Sequence, residues 1–125
     1  MGTIKAASDM VKVFLEIEKE IIRADAKHGN NIELPSLDAS LIDRSPGRML
    51  LEYGLPSADA AKQHTDLMQK RGTLTHAHIV VEELCESIDC MKDEAAMRIE
   101  LIQLAAVTVK WIRSIDNKHT ANPNT

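Results

Sequence analysis

Glutamates at helical spacing are the residues of this chain best suited to chemistry. Glu83 and Glu86 are three positions apart, so in a helix both carboxylates project from one face. Ile79 and Cys90 fall in the same angular sector, and a purely solvated face would not be expected to carry them. The spacing makes Glu83 and Glu86 candidate catalytic residues and metal ligands.

A third glutamate, Glu100, lies in a segment that is apolar almost all the way round. Such a helix is expected to be buried on most sides, and an ionised carboxylate there costs on the order of several kcal/mol unless something compensates it. Gln103 follows one turn later and Lys110 further along the same stripe. A divalent cation could supply the compensating charge, with Glu100 and Gln103 among its ligands.

A tight turn at Lys92-Asp93 predicts that the two glutamate-bearing helices pack antiparallel, which can bring Glu83 and Glu86 opposite Glu100 and Gln103. Three carboxylates and an amide oxygen are hard ligands that suit Mg²⁺ or Mn²⁺, ions that bridge phosphates and can activate water. The structural alternative stays open, because E-E-x-x-E patterns also occur on ordinary helices. A di-iron carboxylate bundle is excluded, because it needs Glu-x-x-His and no glutamate here has His three residues later.

Only helices are predicted around these residues. The fold class expected is all-α: a bundle of four to five helices in which two long antiparallel helices carry the metal site. Residues 8–116 are expected to form a single domain and residues 117–125 a flexible, frayed tail. On the first glutamate helix the core face is expected to be Val81, Leu84, Ile88 and Met91. The predicted helices are 8–27 capped by Ser8, a short one near 47–53, Ser57 to Arg71, Thr73 or Thr75 to about Met91, and 94–116.

Composition narrows the class of partner. The net charge of −4 and the single Trp, Tyr and Phe argue against a nucleic-acid binder. No apolar run approaches a membrane span and no signal peptide is recognisable, so a cytoplasmic protein is expected, with Cys85 and Cys90 as unpaired thiols.

These motifs resemble the MazG-like superfamily of all-α nucleoside triphosphate pyrophosphohydrolases, whose mark is E-x-x-E on one helix and E-x-x-D on the next. Glu83-Leu84-Cys85-Glu86 matches the first half, and Glu100-Leu101-Ile102-Gln103 matches the second except that Gln stands where the family has Asp. A phage-associated branch is similar over roughly residues 14–116, through Arg23–Gly29, Tyr53–Pro56 and Gly72–Thr75. In that branch Gln at this position is usual.

The resemblance implies hydrolysis of (deoxy)nucleoside triphosphates to monophosphate and pyrophosphate, with a purine substrate such as dGTP favoured. It implies that Glu83, Glu86 and Glu100 hold the ions, assisted by Gln103, in a homodimer or homotetramer, within the host cytoplasm if the protein is phage-encoded. The alternative is a non-catalytic helical dimer that binds a nucleotide or a protein partner.

Four further residues are candidates for nucleotide binding. Lys110 could meet a phosphate, although it could equally be a solvated lysine. Trp111 could stack on a base, although a lone Trp in an apolar helix is more often core. Asp25 and Lys27 could contact substrate, although basic groups at a helix end commonly compensate the dipole.

Overall fold

The computed structural model describes residues 2–121, with side chains described for residues 7–119. Within that range the chain is helical and has no strand, so the all-α fold class is confirmed. A short 3-10 helix covers Ala39–Leu41. The α-helices are α1 Gly2–His28, α2 Pro46–Glu52, α3 Ala58–Lys70, α4 His76–Asp89 and α5 Glu94–Ala121.

Hydroxyl side chains cap the central helices. Ser57 accepts a hydrogen bond from the backbone N–H of Ala60 at 3.1 Å and starts α3, as predicted. Thr75, rather than Thr73, starts α4 and forms a capping box in which the ring nitrogen of His78 accepts from the Thr75 N–H. The Thr75 cap fixes where the first glutamate helix begins.

The two long helices extend further than predicted. Helix α1 begins at Gly2, so Ser8 lies inside it and is not its cap. Helix α5 continues to Ala121 instead of ending at 116, because residues 117–121 are polar but contain no Gly or Pro to stop a helix. The predicted flexible tail thus overlaps the end of α5 at residues 117–121, where its flexibility stays a prediction, and residues 122–125 lie outside the described residues.

The chain divides into two compact units. Among the described residues, the terminal unit takes 2–36 and 109–121, and the central unit is Leu37–Thr108. In the central unit α4 packs against α3 and α2. Its core is formed by buried side chains from α2, α3, α4, α5 and the turn between α4 and α5, namely Met49, Leu50, Ala61, Cys85, Ile88, Met91 and Met97.

The predicted core face of α4 needs a correction. Ile88 and Met91 are buried and Leu84 is half-buried, but Val81 is 41% exposed and Cys85 is fully buried. The reason is that α2 and α3 both pack on α4. The buried face of α4 is thereby turned toward Cys85, away from the direction that hydrophobicity alone favours.

The expectation that α5 is buried on most sides is wrong for the single chain. Ile99, Leu101 and Ile102 are 56%, 46% and 52% exposed, and Ala105 and Ala106 are exposed beside them. Met97 is buried in the core of the central unit and Leu104 is half-buried, so α5 carries apolar residues on its buried side and on its exposed side. Within residues 2–121 no helix is long and apolar enough to cross a membrane.

The segment from Leu37 to Leu55 is tied down at two points. The backbone N–H of Asp38 donates to the Tyr53 hydroxyl at 2.8 Å, and the Lys92 ammonium donates to the Ile42 carbonyl at 2.6 Å. Leu37 and Leu41 pack against the core of the central unit. This irregular segment is thus anchored to the turn that precedes α5.

Candidate metal centre

Three glutamates from two helices come together in the central unit. Glu83 and Glu86 project from one face of α4, and Glu100 projects from α5. Each offers one carboxylate oxygen such that all three oxygens lie within 4.8 Å of one another. The structure therefore brings together the three carboxylates that the sequence pattern singled out.

Two oxygens of this cluster are buried and have no hydrogen-bond partner. They are Oε2 of Glu83 and Oε2 of Glu100. A buried carboxylate oxygen without a donor costs free energy, on the order of 1–3 kcal/mol and more when it is charged. A proton or a cation close to each oxygen would offset this cost.

The electrostatics of the cluster are those of crowded like charges. Burial and the charges of Glu83, Glu82 and Glu100 raise the pKa of Glu86 to about 7, against a smaller opposing effect of Lys62. Burial, followed by the charges of Glu100 and Glu82, also raises the pKa of Glu83. In the absence of a cation, the cluster keeps part of its protons near neutral pH.

The packing of α4 holds the two glutamates of that helix in place. Cys85, between them, is fully buried, and the Ser87 hydroxyl donates to the backbone carbonyl of Glu83 at 2.8 Å. Cys90 follows at the end of α4, where burial and then the charge of Glu100 raise the pKa of its thiol. Both cysteines are free and act as packing groups beside the carboxylates.

The donor set suits a hard divalent cation. Carboxylate oxygens at this separation can converge on one ion, and the two unpartnered oxygens are able to coordinate it. Gln103 lies one turn after Glu100 and is exposed, so its amide would be reached from the solvent side. Its role as a ligand stays a prediction.

The other predicted site residues belong to the terminal unit. Asp25 and Lys27 are exposed near the end of α1. Lys110 is exposed in α5, and Trp111 next to it is 37% exposed, so it is not a fully buried core residue. Nucleotide binding by these four residues stays a prediction.

Lys62, on α3, is a charged residue of the site that sequence reasoning missed. The charge of its ammonium lowers the pKa of Glu86, and the ammonium lies 3.5 Å from the Asp66 carboxylate in an exposed ion pair. The sequence holds no signal for it, because its place depends on how α3 packs against α4 and not on any local spacing.

A small pocket lies between α3 and α4, on the side away from the carboxylate cluster. It has a volume of about 330 Å³ and includes His64, His78 and Val81 in its lining. The two imidazole rings meet edge to face, with centroids 5.2 Å apart. On a helical wheel Val81 lies about 170° and His78 about 110° from the mean direction of Glu83 and Glu86, so this pocket is separate from the carboxylate cluster.

Comparison with family models, curated proteins and solved structures finds no match to this chain. Function can therefore be inferred only from the geometry of the cluster and from the motifs.

Proposed function

We propose that this chain is a metal-dependent nucleoside triphosphate diphosphohydrolase, converting (deoxy)nucleoside triphosphates to monophosphate and pyrophosphate. Glu83, Glu86 and Glu100 would hold Mg²⁺ or Mn²⁺, with Gln103 as a further oxygen ligand. Such an ion, when bound, neutralises phosphate charge and lowers the pKa of water.

The observation that supports the proposal most is the pair of buried, unpartnered oxygens on Glu83 and Glu100 inside a three-carboxylate cluster. A solvated acidic face would leave such oxygens hydrated. A structural ion pair would provide Arg or Lys within contact, and the described residues show no such pair to these three carboxylates.

In this reaction the carboxylates would bind the metal ions and orient the triphosphate. Water attacks the α-phosphorus, the bond from that phosphorus to the α–β bridging oxygen breaks, and pyrophosphate leaves with the electron pair. The three glutamates would hold the ions close to the triphosphate. A purine deoxynucleotide such as dGTP is the substrate that the resemblance favours.

The partner proposed besides substrate is a second copy of the chain, in a homodimer or homotetramer. The exposed apolar face of α5 supports this, because adjacent large apolar side chains seldom stay in water. The same face, together with the exposed Gln103, supports the second candidate: a non-catalytic helical dimer that binds a nucleotide or a protein partner.

Pyrophosphate release from a panel of ribo- and deoxynucleoside triphosphates, with Mg²⁺, Mn²⁺ or EDTA, tests the proposal. We expect metal-dependent release of pyrophosphate and monophosphate, lost in Glu100→Gln while the fold is kept. Release of orthophosphate would show that the wrong bond was assigned. No turnover with any substrate or metal would favour the non-catalytic dimer.

A further inference from the structure

The packing of α3 on α4 places two polar residues of α3 on opposite flanks. Ala61 and Thr65 are the buried residues of α3, so they mark the side that faces the core. With 3.6 residues per turn, Lys62 and His64 lie about 80° on either side of that line. The flank of His64 is the flank of the small pocket that also includes His78 and Val81.

The opposite flank belongs to the carboxylate cluster. On a helical wheel of α4 the mean direction of Glu83 and Glu86 lies more than about 100° from the pocket residues of that helix. Because the pocket marks the flank of His64, the opposite flank of α3, which carries Lys62, is the one directed toward the glutamates. The effect of the Lys62 charge on the Glu86 carboxyl agrees with this placement.

The charge of Lys62 lowers the pKa of Glu86, but its ion pair is not with the cluster. Its side chain is 62% exposed and its ion pair is with Asp66, four residues on in the same helix and itself 53% exposed. An exposed ion pair of this kind contributes little and is readily exchanged for another anion. A lysine with an exchangeable partner at the edge of a cation site is well placed to meet an anionic ligand of that cation.

We propose that Lys62 binds a phosphate group of the polyphosphate that is held at the carboxylate cluster. The inference rests on the proposed function, because the phosphate reaches Lys62 through the same site. It adds a positioning residue from a third helix, α3, to ligands that come from α4 and α5. The ammonium would leave Asp66 and donate to a phosphate oxygen, an exchange that retains a charge-assisted hydrogen bond.

The test separates cation binding from phosphate binding, with inorganic tripolyphosphate as the probe so that no base preference enters. Mn²⁺ binding is measured by electron paramagnetic resonance, and tripolyphosphate binding by calorimetry at saturating Mn²⁺. Four forms are compared: the natural chain, Lys62→Met, Lys62→Arg and Lys70→Met. Lys70 is the matched control, because it is another exposed lysine of α3, in its last turn.

We expect Lys62→Met to bind Mn²⁺ at least as tightly as the natural chain and tripolyphosphate about 10- to 100-fold more weakly, as removal of one hydrogen bond to a charged group predicts. Lys62→Arg should restore affinity to within about threefold, since the charge is kept. Lys70→Met should match the natural chain.

Unchanged tripolyphosphate affinity in Lys62→Met would overturn the role of Lys62 and leave the proposed function standing. A natural chain that binds no Mn²⁺ would overturn the proposed function, and the inference with it. Equal losses in Lys62→Met and Lys70→Met would show a general effect of surface charge and would also overturn the inference.

Discussion

At the scale of single residues, Glu86 links the stability of the chain to the state of the site. Its ordinary pKa of 4.5 rises to about 7 in the folded chain, chiefly because of burial and the charge of Glu83. Between these two values the folded chain binds more protons than the unfolded chain, so folding stability falls as pH rises through that window. A bound cation would reverse this penalty by favouring the ionised carboxylate.

Glu86→Gln should therefore stabilise the metal-free protein above pH 7 and have little effect near pH 4.5. The expected gain is about 1–2 kcal/mol, taking the pKa shift at less than its full value because the side chain is partly solvated. Denaturant melts between pH 4.5 and 8 in EDTA measure it. The exposed Glu18, in the middle of α1, provides the control variant Glu18→Gln, which should leave the profile unchanged. A Glu86→Gln protein that is less stable at pH 8 would show that Glu86 has a structural role instead.

The affinity for cations should also depend on the ionisation of Glu86, but it should rise with pH where the stability of the metal-free chain falls. Below about pH 7 a proton must leave Glu86 before the carboxylate can act as a ligand, so apparent Mn²⁺ affinity should fall by up to about tenfold per pH unit. Above that pH it should level off. Titrations of Mn²⁺ from pH 5.5 to 8.5 measure this dependence, and a flat profile would mean that Glu86 is not a ligand.

At the scale of helices, the local sequence predicted the start of α3 but not that of α1 or the buried face of α4. Ser57 could be recognised as a cap from its own sequence neighbourhood, because a cap depends on residues within one turn. The core face of α4 could not, because Cys85 becomes buried only when α2 and α3 both pack there. Lys62 could not be assigned for the same reason: its proximity to Glu86 is a property of helix packing.

The carboxylate cluster could be predicted from the sequence in part. The spacing of Glu83 and Glu86 fixes a shared face of α4, which is a local property. Their approach to Glu100 required a tight turn between α4 and α5, which the sequence signalled at Lys92-Asp93 and which the structure shows from Cys90 to Asp93. The composition of the cluster was therefore predictable, whereas its burial and its unpartnered oxygens were not.

The anchor of the Leu37–Leu55 segment gives a prediction at this scale. Lys92→Met removes the hydrogen bond to the Ile42 carbonyl and should cost about 0.5–1.5 kcal/mol. Because the bond spans 50 residues of sequence, the loss should appear as faster amide hydrogen exchange around residues 37–44 with little change in α3. Lys70→Met is again the control. Unchanged exchange in the segment would show that the Lys92 bond does not hold it.

At the scale of the whole molecule, the apolar character of α5 conflicts with its exposure in a single chain. The sequence predicted a helix buried on most sides, and the single chain buries only one side in the central unit. The face left over carries Ile99, Leu101 and Ile102, and its cost in water would be removed if a second copy covered it. The predicted burial of α5 and its exposure in a single chain agree if α5 is buried in an assembly of several chains.

Ile102→Glu should separate that assembly into single chains without unfolding them. Ile102 is 52% exposed in the single chain, so a charge there should cost the isolated fold little. At an apolar interface the same charge would be buried without a partner, at a cost on the order of several kcal/mol. That cost would lower the affinity of the dimer on the order of a hundredfold or more. Light scattering after size exclusion, with circular dichroism to check the helices, measures both effects. Ile32→Glu is the matched control, because Ile32 is 77% exposed in the loop after α1 and should leave the mass unchanged. A natural chain that is monomeric at all concentrations would show that α5 tolerates water, and the proposed homo-oligomer would then be wrong.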